Sequence, residues 1–543
     1  MKESMENPRR WRGIPEIYSD AQAFSERRGY STHLGFVALL AILFLTFLDN
    51  TIISAVLANV QSDLHAGIAD LQWIVGAYAL TFASLMLICG SLGDNYGRKR
   101  IMLIGVGVFC AGSIVCGLAT SSTMLVIGRV IMGIGAAGSE PSTLSMIRHI
   151  YPDHRQRARA LGSWAAVSGL ALAIGPVIGA TLVGVYSWRA IFWANLFFGL
   201  LAMILAGVTL PESADPTRTR PDYAGFVVAA IVLGTATFAT IAGETAGYFA
   251  SWIIALYVIS GVALLLFGYV EQRVKYPMVN LSYFRRRPFA GSTFIAFASY
   301  FSIFSIFFFV ALYLEIVASV SAYNLALDFL PLLAGMVIAS LYAGRWVGAV
   351  GTRVPMMTGC VIAAVGVLLT DVFIGPGASI GTVGWTMGIA GIGFGTLVVP
   401  VTYSALASIP SAHSGMAAST TNTSRELGAV AGVAILGSIV NGQLTVNLTA
   451  RLIAIGIPVA FRSEIITAVT TGSISAKAKG LSGKSSKAVA TIIHNVVHAA
   501  YAAFTHGLNL ALTISFALLL LSAIVSYVTG TKDGTQMYPD DVA

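Results

Sequence analysis

Long apolar runs, broken by short polar punctuation, repeat along almost the whole of this chain. About 20 apolar residues cross the hydrocarbon of a bilayer as a helix. On that rule, spans are expected near 34–58, 71–91, 101–119, 123–147, 161–184, 188–210, 223–243, 249–270, 291–317, 325–349, 355–374, 382–404, 416–440 and 504–529. Fourteen is an even number, so both termini are expected on one side. Loops ending at Arg100, at Arg148/Arg155/Arg157/Arg159, at Arg218/Arg220, at Arg273/Lys275/Arg285/Arg286/Arg287 and at Arg353 hold nearly all the loop Lys and Arg. The intervening short loops hold only Arg189. The positive-inside rule therefore places both termini in the cytoplasm and makes the chain a multi-pass plasma-membrane protein in contact with lipid. The one long outer segment, 441–503, carries Arg451, Arg462, Lys477, Lys479, Lys484 and Lys487, but long loops translocate largely regardless of charge.

Composition agrees with this pattern. Of 543 residues 56% are hydrophobic, only 10% are charged and 56 are glycine, which fits an all-α polytopic membrane protein and excludes a soluble core. The net charge of +8 sits in short loops, where it sets orientation and does not form a nucleic-acid groove. Cys89, Cys110, Cys116 and Cys360 all fall within apolar spans, so no disulfide framework, metal site or cofactor is indicated. Residues 1–33 mix both charges without a cleavage site and read as a cytoplasmic tail.

Between the second and third spans stands Gly90-Ser-Leu-Gly93-Asp94-Asn-Tyr-Gly97-Arg98-Lys99-Arg100. Its glycines permit a tight reversal and close packing, and its basic triplet marks the cytoplasmic side. A bare positive-inside turn needs the basic residues but not the glycine and aspartate spacing. A degenerate second copy, Gly344-Arg-Trp-Val-Gly348-Ala-Val-Gly351-Thr-Arg353, follows the tenth span, with Gly348 where the first copy has Asp94. Two copies argue for two six-helix lobes. The expected division is a tail 1–33, an N-terminal lobe 34–210, two extra helices with a cytoplasmic loop 211–290, a C-terminal lobe 291–529 and a cytoplasmic tail 530–543.

The loop Gly-x-Leu-x-Asp-x-x-Gly-Arg-Lys-Arg is similar to the signature loop of the major facilitator superfamily. Further segments extend the likeness: Leu48-Asp49-Asn50-Thr51-Ile52, Gly128-Arg129 with Gly133-Ile-Gly135 and Pro141, Gly175-Pro176-Val-Ile-Gly179, Trp188-Arg189 with Phe192 and Asn195, the loop 271–289 around Pro277, and Gly415-Met416-Ala417 with Asn422, Arg425 and Leu427-Gly428. Together they resemble the fourteen-helix drug:proton antiporters of that superfamily. The resemblance implies a major facilitator fold of 6+2+6 helices, a monomer that takes a small-molecule substrate and protons, and efflux by alternating access. It also implies a cytoplasmic gate at Gly90, Asp94, Gly97, Arg98 and Lys99. In such antiporters Gly175, Pro176 and Gly179 keep the lobe contact closed to leak; packing alone is the other reading of that motif. Met132, Glu140, Ala180, Ser54 and Ala58 depart from the family pattern, and those departures bear on substrate identity.

An ionisable side chain in mid-membrane costs about 2.5–3.5 kcal/mol on insertion scales, so it is expected to face a cavity or a partner. Asp49, Arg129 and Glu140 meet that description. Asp49 lies 15 residues into one span and Arg129 six into an antiparallel one, which puts both in the outer half and allows an ion pair. Proton coupling is expected at Asp49 with Arg129; a static pair that locks helices is the alternative. Eleven residues carry Glu140 back to the face of Arg129, about 16 Å nearer the cytoplasm, as a candidate substrate or proton site for amine-bearing compounds. Pairing of Glu140 with a basic residue such as Arg148 is its structural alternative.

Ala478-Lys-Gly-Leu-Ser-Gly-Lys484-Ser fits a relaxed phosphate-loop pattern, but it lacks a preceding strand and lies in the outer segment. His494 and His498 are two potential ligands without a third. Neither an ATP-driven exporter nor an enzyme is supported, since there is no nucleotide site and no nucleophile with a base inside the spans. A passive facilitator of the same fold, or an exporter of one endogenous metabolite or lipid, is the alternative to drug:proton antiport.

Overall fold

In the computed structural model, residues 32–66, 68–213, 222–274, 277, 279–316, 322–374, 380–410, 413–454 and 487–531 are described. Among them the regular structure is helical. Fourteen helices of 20 residues or more follow in order: α1 Thr32–Ile52, α2 Ile68–Tyr96, α3 Arg98–Gly117, α4 Ser122–Ile150, α5 His154–Val185, α6 Ala190–Thr209, α7 Tyr223–Ala246, α8 Ser251–Arg273, α9 Arg287–Ile316, α10 Ala322–Val350, α11 Arg353–Phe373, α12 Ile380–Ala407, α13 Ser414–Ala454 and α14 Lys487–Thr529.

Twelve of these are long and apolar enough to cross a membrane, and α5 makes a thirteenth when its two halves, bent by 45° between Leu172 and Val177, are taken as one. The bend falls at Gly175-Pro176, where proline removes a backbone donor and crowds the preceding turn. The helix that falls short is α13. Its stretch Ser419-Thr-Thr-Asn-Thr-Ser-Arg425-Glu426 is polar, yet it is helical and mostly buried. A helix this polar stays in the membrane only by turning that stretch toward protein. The segment expected as one long loop, 441–503, is helical at both described ends, because α13 runs on to Ala454 and α14 begins at Lys487. The relaxed phosphate-loop stretch 478–485 lies outside the described residues, and the side chains of His494 and His498 likewise.

Helices α1 to α6 pack mainly on one another, as do α9 to α14. Within the first set the backbones of α3 and α4 touch: a Cβ at Gly105 would lie 2.7 Å from the Gly135 carbonyl oxygen. Small residues allow such contact without a hydrophobic drive between helices in lipid. The two sets meet along α5 against α10 and α2 against α13. The two extra helices form a hairpin whose α7 rests on α2 and also reaches α13. Trp73 of α2, Phe238 of α7 and Trp252 of α8 join in a row, with ring centroids 5.2 Å and 6.4 Å apart.

The signature loop is a sharp reversal between α2 and α3. Gly97 has φ +110°, a conformation that side-chain-bearing residues rarely adopt. Glu212 then covers the start of α3, accepting from the backbone N–H of Lys99 at 3.0 Å and of Arg100 at 3.2 Å.

Candidate functional site

Two buried polar clusters lie along α4, and a third closes one end of the molecule between α2, α3 and α13. The first is built on Asp49, which is fully buried near the end of α1. Arg129 Nη1 donates to Asp49 Oδ2 at 2.5 Å and Asn195 Nδ2, from α6, donates to Oδ1 at 2.7 Å. Arg129 is held in turn by its Nε donating to the Ile74 carbonyl at 3.0 Å and by the Tyr78 ring 4.5 Å from its guanidinium carbon. Four helices thus converge on one charge pair. Depth along the spans pairs Asp49 with Arg129; the role of Asn195 as their third partner emerges only from the fold. Its signal was an amide inside an otherwise apolar span, which has to find a partner when buried.

The second cluster lies further along α4, where Glu140 is 2% exposed. Its Oε1 accepts from Asn422 Nδ2 of α13 at 3.1 Å, while Oε2 is buried without a hydrogen-bond partner. Asn422 Oδ1 accepts from Arg425 Nη1 at 3.0 Å, and Arg425 Nη2 donates to Thr402 Oγ1 of α12 at 2.5 Å. The Arg425 guanidinium lies over the rings of both Trp164, 5.6 Å away, and Tyr300, 5.5 Å away. Arg148 does not serve as the partner of Glu140: its Nη1 donates instead to the Leu406 carbonyl at the end of α12. Glu426, next along α13, acts on Glu140 electrostatically from a distance.

The third cluster closes the end of the molecule that bears the basic loop. Asp94 Oδ1 and Oδ2 accept from the backbone N–H of Gly415 and Met416, each at 2.9 Å, so a carboxylate from α2 caps the first turn of α13. Arg98 bridges to the same carboxylate at 2.7 Å, and its Nη1 donates to Ser213 at 3.0 Å. Lys99 Nζ donates to the carbonyls of Gly207 and Leu210, both at 2.7 Å, satisfying the C-terminal turn of α6. Gly90 lies against α13, where a Cβ would come within 2.8 Å of the Gly415 carbonyl oxygen.

The glycines of α5 divide between two neighbours. Gly162 and Gly169 face α10, with a Cβ at Gly162 falling 2.8 Å from the Ser340 carbonyl oxygen. Gly175 faces α1 at Thr51 and the Ile52 nitrogen, and Gly179 is buried. The side chain of Pro176 is not described.

A family model described as Major Facilitator Superfamily matches residues 39–433. Among curated proteins, the chain is 32% identical over 493 residues to "Drug efflux pump JefA" of Mycobacterium tuberculosis, covering 89% of this chain and 95% of that one. It is 31% identical over 410 residues to "Multidrug resistance protein Stp" of the same species, covering 76% of each. "Methylenomycin A resistance protein" of Bacillus subtilis is 32% identical over 420 residues, 76% of this chain and 89% of that one. In fold, the chain is similar to the human organic anion transporter MFSD10, with TM-score 0.57, 15% identity and coverage of 91% of this chain and 99% of that one. The proton:xylose symporter XylE gives TM-score 0.53 at 14% identity, over 75% of this chain and 88% of that one.

Proposed function

The chain belongs to the Major Facilitator Superfamily, and from that membership we propose that it is a proton-driven antiporter that exports amphiphilic, amine-bearing compounds across the plasma membrane. The observation that carries the proton coupling is Asp49. A carboxylate with no access to water, held by one arginine and one amide, has two stable conditions: charged while Arg129 is in contact, or protonated once Arg129 moves away. Asp49 and Arg129 come from α1 and α4, and a shift of either helix during lobe rocking trades one condition for the other. A proton taken up outside and released inside supplies the energy for export.

Orientation follows from charge. The end bearing Arg98, Lys99 and Arg100 is assigned to the cytoplasm, together with both termini. The clamp of Asp94 on α13 then corresponds to a cytoplasm-closed state. Glu140, at the junction of α4 with α13, is assigned as the substrate-facing carboxylate, since a buried acid with a bare oxygen favours a cationic group over an anion.

The reading is supported by relatives named as drug efflux and resistance proteins. It is tested by transport in proteoliposomes under an imposed pH gradient. Asp49→Asn should abolish gradient-driven transport, a loss of at least about a hundredfold, with folding intact. Unchanged uptake in that variant rejects Asp49 as the proton carrier.

A further inference from the structure

Arg129 and Arg425 are both buried, and their environments differ. Arg129 meets a carboxylate directly. Arg425, 3% exposed, meets neutral acceptors only: Asn422 Oδ1, Thr402 Oγ1 and, at 3.5 Å, the Val398 carbonyl. Among the described residues, no carboxylate comes within ion-pairing distance of it. Glu140 and Glu426 act on Arg425 only through space; a buried guanidinium with no acid in contact is expensive, and so is a buried carboxyl with one bare oxygen. Here the two face the same amide from opposite lobes.

That amide makes both links in neutral form. Asn422 offers an N–H to Glu140 and a C=O to Arg425, and only this orientation satisfies both neighbours. An ammonium and a carboxylate on one small molecule would make the same two links with full charge, and charge-assisted hydrogen bonds are roughly twice as strong as neutral ones. We infer that Glu140 and Arg425 form a split site for zwitterionic aromatic amphiphiles, in which the substrate's amine replaces Asn422 at Glu140 and its anionic group replaces Asn422 at Arg425. The Trp164 and Tyr300 rings flanking the guanidinium supply the apolar walls. Because Glu140 belongs to α4 and Arg425 to α13, such a substrate binds both lobes at once, and its release requires that they part. In the state seen here Asn422 holds the place of the substrate.

The inference rests on the proposed substrate-facing role of Glu140 and names a second, anion-binding half that the proposed function does not include. It is tested by binding, without any pH gradient, to the full chain in lipid nanodiscs. Three probes share one apolar body: biphenylalanine, its methyl ester, which keeps only the amine, and its N-acetyl derivative, which keeps only the carboxylate. The zwitterion should bind at least about tenfold tighter than either derivative, equivalent to about 1.4 kcal/mol. Arg425→Gln should lower the zwitterion to the level of the ester and leave the ester unmoved, with Arg425→Lys restoring part of the difference. Glu140→Gln should lower it to the level of the N-acetyl compound. The inference is overturned if the ester binds as tightly as the zwitterion, if none of the three binds, or if Arg425→Gln weakens zwitterion and ester alike. Failure of pH-driven transport in proteoliposomes would count against proton coupling and leave this ranking of affinities intact.

Discussion

Asp49, Glu140 and Arg425 are each too costly to bury as bare charges, and the fold resolves each one differently. Asp49 takes a charged partner and an amide, Glu140 takes one amide and keeps one oxygen bare, and Arg425 takes neutral oxygens and aromatic faces. A fourth charge, Asp63, sits outside the membrane spans in a short helix, Leu57–Leu64, after α1. It accepts from Trp188 Nε1 at 3.0 Å and from Arg189 Nη1 at 2.7 Å, and Arg189 also donates to the Ala119 carbonyl. The Trp188 hydrogen bond first, then that of Arg189, holds the Asp63 carboxyl below its ordinary value of 3.8. A depressed carboxylate stabilises the fold at pH above its unfolded value and loses that contribution as pH falls through the folded one. The link should therefore stay intact from neutrality down to the ordinary value and break only below it. The check is Trp188 fluorescence, isolated by difference against Trp188→Phe; a transition well above 3.8 contradicts the assignment. What the sequence disclosed at this scale were the charges, because an ion in an apolar run stands out. It did not disclose Asn195, Asn422 or the Leu406 carbonyl as partners. Asn422 and Glu140 are 282 positions apart, and a backbone carbonyl leaves no mark in the sequence at all.

Helices α5 and α10 show why small residues recur where elements from different lobes cross. Gly162 of α5 approaches the backbone of α10, and Gly344 of α10 approaches Ala158 and Arg159 of α5, so each helix presents a gap to the other's main chain. Neither gap has room for a branched side chain. Gly162→Val should hold these helices apart, at an overpacking cost of about 1–3 kcal/mol in the closed state. The expected result is about a tenfold or greater fall in pH-driven transport while the protein remains folded and still binds substrate. Cysteine labelling along the half of the interface nearest the basic loops should increase in parallel; labelling that stays at the wild-type level would show that the contact does not hold the gate. The end of α10 near Gly344 was legible from the apolar run, expected at 349 and found at Val350, whereas α5 was expected from 161 and begins at His154, because its first turns carry Arg155, Arg157 and Arg159 and do not read as apolar. The polar α13 was legible as a helix but not as the element that carries Asn422 and Arg425 into the interface, since apolar length says nothing about which face meets which neighbour.

Across the whole molecule, the two copies of the signature loop occupy equivalent places and close the same end by different means. Gly97 and Gly351, both with positive φ, end the helices before each reversal, and Gly90 and Gly344 make the close crossings with α13 and α5. The copies differ where Asp94 is replaced by Gly348. Asp94 caps α13 from the opposite lobe. Gly348 lies beside Arg155 in the first turn of α5, a helix that is already capped by its own Asp153, which accepts from Gln156 N at 2.8 Å. One latch is therefore charged and the other only steric. Removing the carboxylate with Asp94→Ala leaves the first turn of α13 without its cap and takes from Arg98 its ion pair. A lost helix cap is worth about 0.5–2 kcal/mol, enough to shift the closed fraction up to about thirtyfold toward the state open at this end. Adding the charge should do the reverse. A Cβ at Gly348 would sit 3.4 Å from Arg155 Cγ, ordinary contact, so Gly348→Asp fits and brings a carboxylate to a cation and a helix N-terminus. Distances between spin labels at the start of α5 and the end of α10 should then narrow toward the closed value, and turnover should slow several-fold because each cycle must break two charged latches in place of one. Faster turnover, or a label distribution that broadens toward the open state, would mean that the second loop does not act as a latch and that closure depends on Asp94 alone.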